Sequence, residues 1–94
     1  METKNKTIWK FPLKPIDVNR VQMPVGSQIL SAELQDGVIC MWALVDPEAE
    51  IEIRKFGLIG TGAFIKQEKS VYIATLQLDK IWGTFNQVYH LFEF

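Results

Sequence analysis

The sequence predicts an all-β fold, a small antiparallel sandwich or barrel of six to seven strands. Three observations carry that prediction. Short runs alternate apolar and polar side chains with the period of two that a half-buried strand requires. Turn residues separate these runs at intervals of about 10–15 residues. No stretch of about twelve residues repeats its apolar side chains with the 3.6 period of a helix.

The first run is Thr7 to Leu13, where Trp9, Phe11 and Leu13 face one way and Ile8 and Lys10 the other. Pro12 has no N–H to give to a ladder, so this strand belongs at a sheet edge or bends there. Lys14-Pro15 ends it. Asn19 to Met23 reads as a short strand or extended arm, closed by Pro24 and Gly26. Gln28 to Gln35 alternates again, with Leu30, Ala32 and Leu34 on one face. Asp36-Gly37 follows, the signature of a type I′ turn in which both central residues need φ > 0. Val38 to Val45 completes that hairpin and is apolar on both faces. It is expected to be a central strand covered on both sides, by a second sheet, a helix or another subunit.

An acidic loop from Asp46 to Glu50 leads into a strand where Glu52 and Arg54 alternate with Ile51 and Ile53. That strand continues toward Ile59 and ends at Gly60-Thr61-Gly62. Ala63 to Ser70 is polar and fits a loop or a single helical turn. Val71 to Leu78 is a further strand, Asp79 to Asn86 a turn containing Trp82 and Phe85, and Gln87 to Phe94 the closing strand. With no linker, repeat or low-complexity tract, residues 1–94 read as one β domain with a flexible arm over residues 1–6.

Composition narrows the function classes. An apolar content of 48% is enough for a real core and is incompatible with intrinsic disorder. Ten basic and eleven acidic residues leave a net charge of −1. Domains that live on nucleic acid carry a basic excess, because phosphate contacts dominate their affinity. General nucleic-acid binding is therefore not expected, and only a local basic patch remains. The polar start, Met1 to Lys6, is followed by no apolar leader, and no stretch approaches the ~20 apolar residues of a membrane-spanning helix. The expected location is the cytoplasm. The single cysteine, Cys40, lies in an apolar run and reads as a small buried hydrophobe.

Reactive side chains are scarce. One His and one Cys on different strands make no metal site. The carboxylates Asp46, Glu48, Glu50 and Glu52 lack the glycine and the spacing of a calcium loop. No metal and no cofactor are expected. His90 is the one candidate imidazole base, and among Tyr89 and Phe92 its default role is structural, so the chain is not expected to be an enzyme. A small hydrolase using His90 stands as a further alternative.

Gly60-Thr61-Gly62 is the chemically suggestive loop, since glycines let backbone N–H groups approach an anion and form a nest. It is too short for a P-loop. Arg54, Lys55, Lys66 and Lys69 flank it, and Arg20 offers a second guanidinium suited to phosphate. The expected ligand-binding residues are therefore Arg20, Arg54, Gly60, Thr61 and Gly62. The aromatic residues Trp82, Phe85, Phe92 and Phe94 are expected at an interface, with the closing strand adding itself to a partner sheet in a homo-oligomer.

Four segments carry a resemblance: Thr7-Ile8-Trp9-Lys10-Phe11-Pro12-Leu13, Met23-Pro24-Val25-Gly26-Ser27-Gln28-Ile29-Leu30, Trp42-Ala43-Leu44-Val45-Asp46-Pro47 and Gly60-Thr61-Gly62. Together they resemble a family of small phage and bacterial proteins with no assigned activity, over most of the chain. In that family the Gly-Thr-Gly segment is typically followed by His. Here Ala63 follows, so the resemblance lends this loop no catalytic role. The setting it implies is that of a phage accessory protein which acts by binding. The expected function is a non-catalytic homo-oligomer that sequesters a small anionic nucleotide-type ligand in the host cytoplasm, as counter-defence. The alternative is a protein–protein inhibitor of a host protein, or a structural interaction module.

Overall fold

The computed structural model describes residues 5–77 and 87–94, and among them it contains seven strands and no helix. The strands are β1 (Thr7–Leu13), β2 (Asn19–Pro24), β3 (Gln28–Gln35), β4 (Val38–Val45), β5 (Ile51–Gly60), β6 (Val71–Gln77) and β7 (Val88–Glu93). All pairings are antiparallel. They form a three-stranded sheet in the order β1-β4-β3 and a four-stranded sheet in the order β2-β5-β7-β6. The turn expected to hold Trp82 and Phe85 lies outside the described residues.

Local chemistry explains the elements. Asp36 (φ 52°) and Gly37 (φ 80°) both adopt the left-handed conformation that joins β3 to β4 as a tight hairpin. Pro12 sits on β1, at the edge of its sheet. The polar segment between β5 and β6 is a loop.

One core joins the two sheets. Leu13, Ala32, Ile39, Met41, Ala43 and Val45 come from the first, and Met23, Phe56, Leu58, Leu76 and Leu91 from the second. Each fully buried large apolar side chain contributes about 1.5–3 kcal/mol of transfer free energy, so this cluster dominates stability.

Among the described residues the second sheet covers β4 on one side. Ile39, Met41, Ala43 and Val45 face the core. On the opposite face Trp42 and Leu44 are half-buried, and beside them Ile8 of β1 stays 55% exposed. Lateral neighbours shield the middle of that face instead of a second layer. Cys40 lies between its register partners Pro12 and Glu33, and Lys10 Nζ donates to Gln35 Oε1 at 2.7 Å from β1 to β3.

β7 also departs from expectation. It pairs with β5 on one side and β6 on the other, so it has no free edge to add to a partner sheet. Phe92 is half-buried and meets Tyr72 edge-on, with ring centroids 5.8 Å apart. The edge strands are β1 and β3 in one sheet and β2 and β6 in the other.

On β5 the apolar and polar faces are inverted at the start: Ile51 and Ile53 point outward, each 56% exposed, while Arg54 points toward the core side with Phe56. From Phe56 to Ile59 four successive residues are buried, so both faces are covered there. The outer cover is the β1–β2 connection. Leu58 N donates to the carbonyl of Ile16 at 3.0 Å. A Cβ on Gly57 would collide with the carbonyl oxygen of Asp17 and lie 2.6 Å from Cε2 of Phe94. A glycine inside an apolar strand marks such a backbone approach. Gly57→Ala is expected to destabilise the protein by about 3 kcal/mol, the upper end of the overpacking range, because backbone cannot retreat as a side chain can. Urea unfolding checks this, and an unchanged midpoint would contradict the crossing.

Candidate functional site

The crossing of the β1–β2 connection over Gly57 creates a groove on the outer face of the four-stranded sheet. Its cavity, of about 500 Å³, is lined by Lys14, Ile16, Val18, Asn19, Arg20, Lys55, Gln67 and Phe94. That volume lies within the range of small-molecule sites. Lys14 is held in place by Asn19, whose Oδ1 accepts from Lys14 N at 2.9 Å and whose Nδ2 donates to the Lys14 carbonyl at 3.0 Å. Phe94 is anchored to β5 by its amide, which donates to the carbonyl of Lys55 at 2.9 Å.

The electrostatics of this groove are one-sided. Three of its lining side chains are cationic and none is a carboxylate. Arg20 and Lys55 are direct cross-strand partners in the β2–β5 register. Directly opposed side chains have Cβ atoms about 5 Å apart, and like charges in that position destabilise a sheet. Among the described residues neither of them, nor Lys14, takes part in an ion pair. An anion seated between them would remove the repulsion.

Of the residues the sequence points to, Arg20 lies in this groove and the others do not join it as a binding set. Arg54 is occupied elsewhere. Its Nε and Nη2 donate to Glu93 at 2.7 and 2.8 Å, a bidentate pair, and its Nη1 donates to the Ser27 carbonyl at 2.6 Å. Its guanidinium also lies 5.7 Å from the centroid of the Phe56 ring. It ties β5, β7 and the β2–β3 turn together. That turn runs from Pro24 to Ser27, with Gly26 at φ 83° and the Ser27 hydroxyl donating to the Pro24 carbonyl at 2.6 Å.

Hydrogen bonding to Glu93 raises the Arg54 pKa, the charges of Glu93 and Glu52 add to this, and burial opposes it. A value raised in the folded state means stabilisation that is complete below the ordinary arginine range and lost only as pH climbs through it. The pair therefore acts at full strength at neutral pH.

Gly60, Thr61 and Gly62 form a tight turn, with Gly62 at φ 92° and Ala63 N donating to the Gly60 carbonyl at 3.0 Å. The amide of Thr61 donates to Val88 O at 3.1 Å. The Thr61 and Ala63 amides are thus spent inside the chain. Arg54 is six positions back along β5, roughly 20 Å at the rise of a strand, so the two do not converge.

His90 sits in a hydrogen-bonded row across the outer face. Its Nε2 meets Thr61 Oγ1 at 2.8 Å, its Nδ1 meets Thr75 Oγ1 at 3.0 Å, and Thr75 Oγ1 meets Tyr72 OH at 2.7 Å. Thr61 Oγ1 also lies 3.3 Å from Val88 O. One orientation satisfies the whole row: Tyr72 donates to Thr75, Thr75 to Nδ1, Nε2–H to Thr61, and Thr61 to the Val88 carbonyl. A hydroxyl base-nucleophile pair is thus present in outline. Among the described residues a hydroxyl, not the carboxylate of a triad, stands on each ring nitrogen.

The acidic loop is a turn: Asp46 Oδ1 accepts the Glu48 amide at 3.0 Å. Among the described residues no three His, Cys, Asp or Glu side chains gather into a cation site. No helix there is long and apolar enough to cross a membrane. Of the expected interface residues, Phe92 packs within the sheet and Phe94 lines the groove.

Lys14, Asn19, Gln67 and the role of Phe94 were not apparent from sequence. The signal that points to them is Gly57, interrupting an apolar strand. Residues 4–94 match the family model of a domain of unknown function, DUF7352. No curated protein and no solved structure is similar enough to match.

Arg54→Lys is expected to lower stability by about 1–3 kcal/mol, since a lysine cannot grip the Glu93 carboxylate with two donors and still reach Ser27. Chemical denaturation at pH 7 measures it. A loss below about 0.5 kcal/mol, the scale of an ordinary surface change, would show that the staple is dispensable.

Proposed function

The chain belongs to the DUF7352 family, whose function is unknown, and we propose that it is a non-catalytic binding protein that captures a small phosphate-bearing ligand of nucleotide type. The observation that carries this reading is the opposed pair Arg20 and Lys55, with Lys14 beside them and no acidic side chain in the groove lining. Two like charges held face to face cost stability in the empty protein and become favourable around a phosphate. The Phe94 ring adds a flat apolar wall suited to a nucleobase. Within the phage setting implied by the resemblance, such a protein would remove a nucleotide signal used in host defence. A cytoplasmic location would suit that role.

A second reading, a protein-interaction module, draws on the open apolar face of the three-stranded sheet around Ile8, Trp42 and Leu44. That face, not β7, is where a homo-oligomer would form. Light scattering separates the readings: a monomer up to about 100 µM would remove the homo-oligomer while leaving ligand capture intact.

Calorimetry against a panel of nucleotides and ribose 5-phosphate tests the main proposal. Binding should weaken as salt is raised. Arg20→Ala or Lys55→Ala should each weaken it about tenfold, the loss of one charge-assisted contact worth roughly 1.4 kcal/mol. Absence of binding at millimolar ligand would remove the proposal.

A further inference from the structure

The groove continues past Phe94. A second hollow of about 500 Å³ adjoins it and turns around the sheet toward Arg54 and Glu93, and Lys55, Gln67 and Phe94 line both. The chemistry of the two halves differs. The first presents Lys14, Arg20 and Lys55 with no acidic side chain. The second adds Ile53, Glu68 and Lys69; Arg54 and Glu93 also reach its wall but satisfy one another.

We infer that this trough holds a nucleoside phosphate lengthwise, with the phosphate among Lys14, Arg20 and Lys55 and a guanine base in the second half against Glu68. The inference rests on the phosphate-binding reading above and specifies the ligand of that same groove.

The base needs a flat apolar surface. Phe94 stands at the junction of the two hollows, and Ile53 leaves 56% of its surface open on the floor of the second. The edge of the base then meets Glu68. An ionised carboxylate accepts hydrogen bonds and donates none, and its two oxygens accept from two adjacent donors at once. Guanine offers adjacent donors, N1–H and the N2 amine, on one edge. Uracil offers a single N–H between two carbonyls, which a carboxylate repels. Adenine and cytosine place one amine beside a ring acceptor, so each fills one carboxylate oxygen and opposes the other. Gln67, able to donate and accept, can meet the guanine carbonyl. Among the described residues Glu68 makes no ion pair, so its oxygens are free for this edge.

A site that depends on such donors discriminates against a base lacking them, because its carboxylate is otherwise left facing acceptors. The full chain should bind guanosine monophosphate about tenfold more tightly than uridine monophosphate or ribose 5-phosphate. Glu68→Gln should erase the preference for guanosine monophosphate and leave ribose 5-phosphate binding unchanged; Glu68 is exposed in a loop, and an unchanged melting temperature would verify that the variant is folded. Calorimetry with these three ligands on both proteins reads the result. Equal binding of all three, or a guanine preference that survives in Glu68→Gln, overturns the base assignment while the phosphate reading stands. No binding of any of them overturns both.

Discussion

Much of this molecule depends on the Asp17 backbone lying against the bare α-carbon of Gly57. A central strand of a sheet ordinarily carries side chains on both faces, and any side chain here would lift the β1–β2 connection off the sheet. With none, the connection settles onto β5, and Leu58 N closes a hydrogen bond to Ile16. Three consequences follow. Phe56 to Ile59 become buried on both faces, which secures the centre of the four-stranded sheet. Lys14 and Arg20, on either side of the connection, are brought to the same groove. Phe94, whose ring would also meet a Gly57 side chain, is seated as that groove's aromatic wall. Stability and the candidate site thus share one steric condition.

The cations divide into two roles, and context decides which. Arg54 lies on the core side, less than a third exposed, where an unpaired charge would be costly. Its donors go to Glu93 and Ser27, and the result is a rivet between strands and a turn. Arg20 and Lys55 lie on the opposite, solvent-facing side, where water screens their repulsion and holding them together is tolerable. The same residue chemistry therefore closes the fold on one face of β5 and leaves two cations without an ion-pair partner among the described residues on the other. The Gly60–Gly62 turn differs in that its Thr61 and Ala63 amides are already used.

Strand positions and the Asp36-Gly37 hairpin were legible because local rules determine them: alternation sets the strands, and positive φ at two successive residues sets the turn. Which strands become neighbours is a matter of long-range pairing, and nothing local in Val88–Glu93 indicates that it lies between β5 and β6 rather than at an edge. The double-sided apolar pattern of β4 suggested two covering layers, yet lateral shielding by Pro12, Glu33 and the Lys10–Gln35 bond answers for Cys40. Arg20 was legible as a phosphate-type guanidinium. Its partnership with Lys55 required the β2–β5 register, and that of Lys14 required the crossing over Gly57. Proximity in sequence misled for Arg54, since six positions along an extended strand separate it widely from the glycine turn.

We propose that an anion seats where the β1–β2 connection crosses the four-stranded sheet. Backbone amide chemical shifts recorded during a titration with ribose 5-phosphate test it most directly. The largest changes are expected at Lys14, Ile16 to Arg20, Lys55, Gln67 and Phe94, with Thr61 to Ala63 nearly still. Changes centred instead on Gly60 to Ala63 and His90 would contradict it.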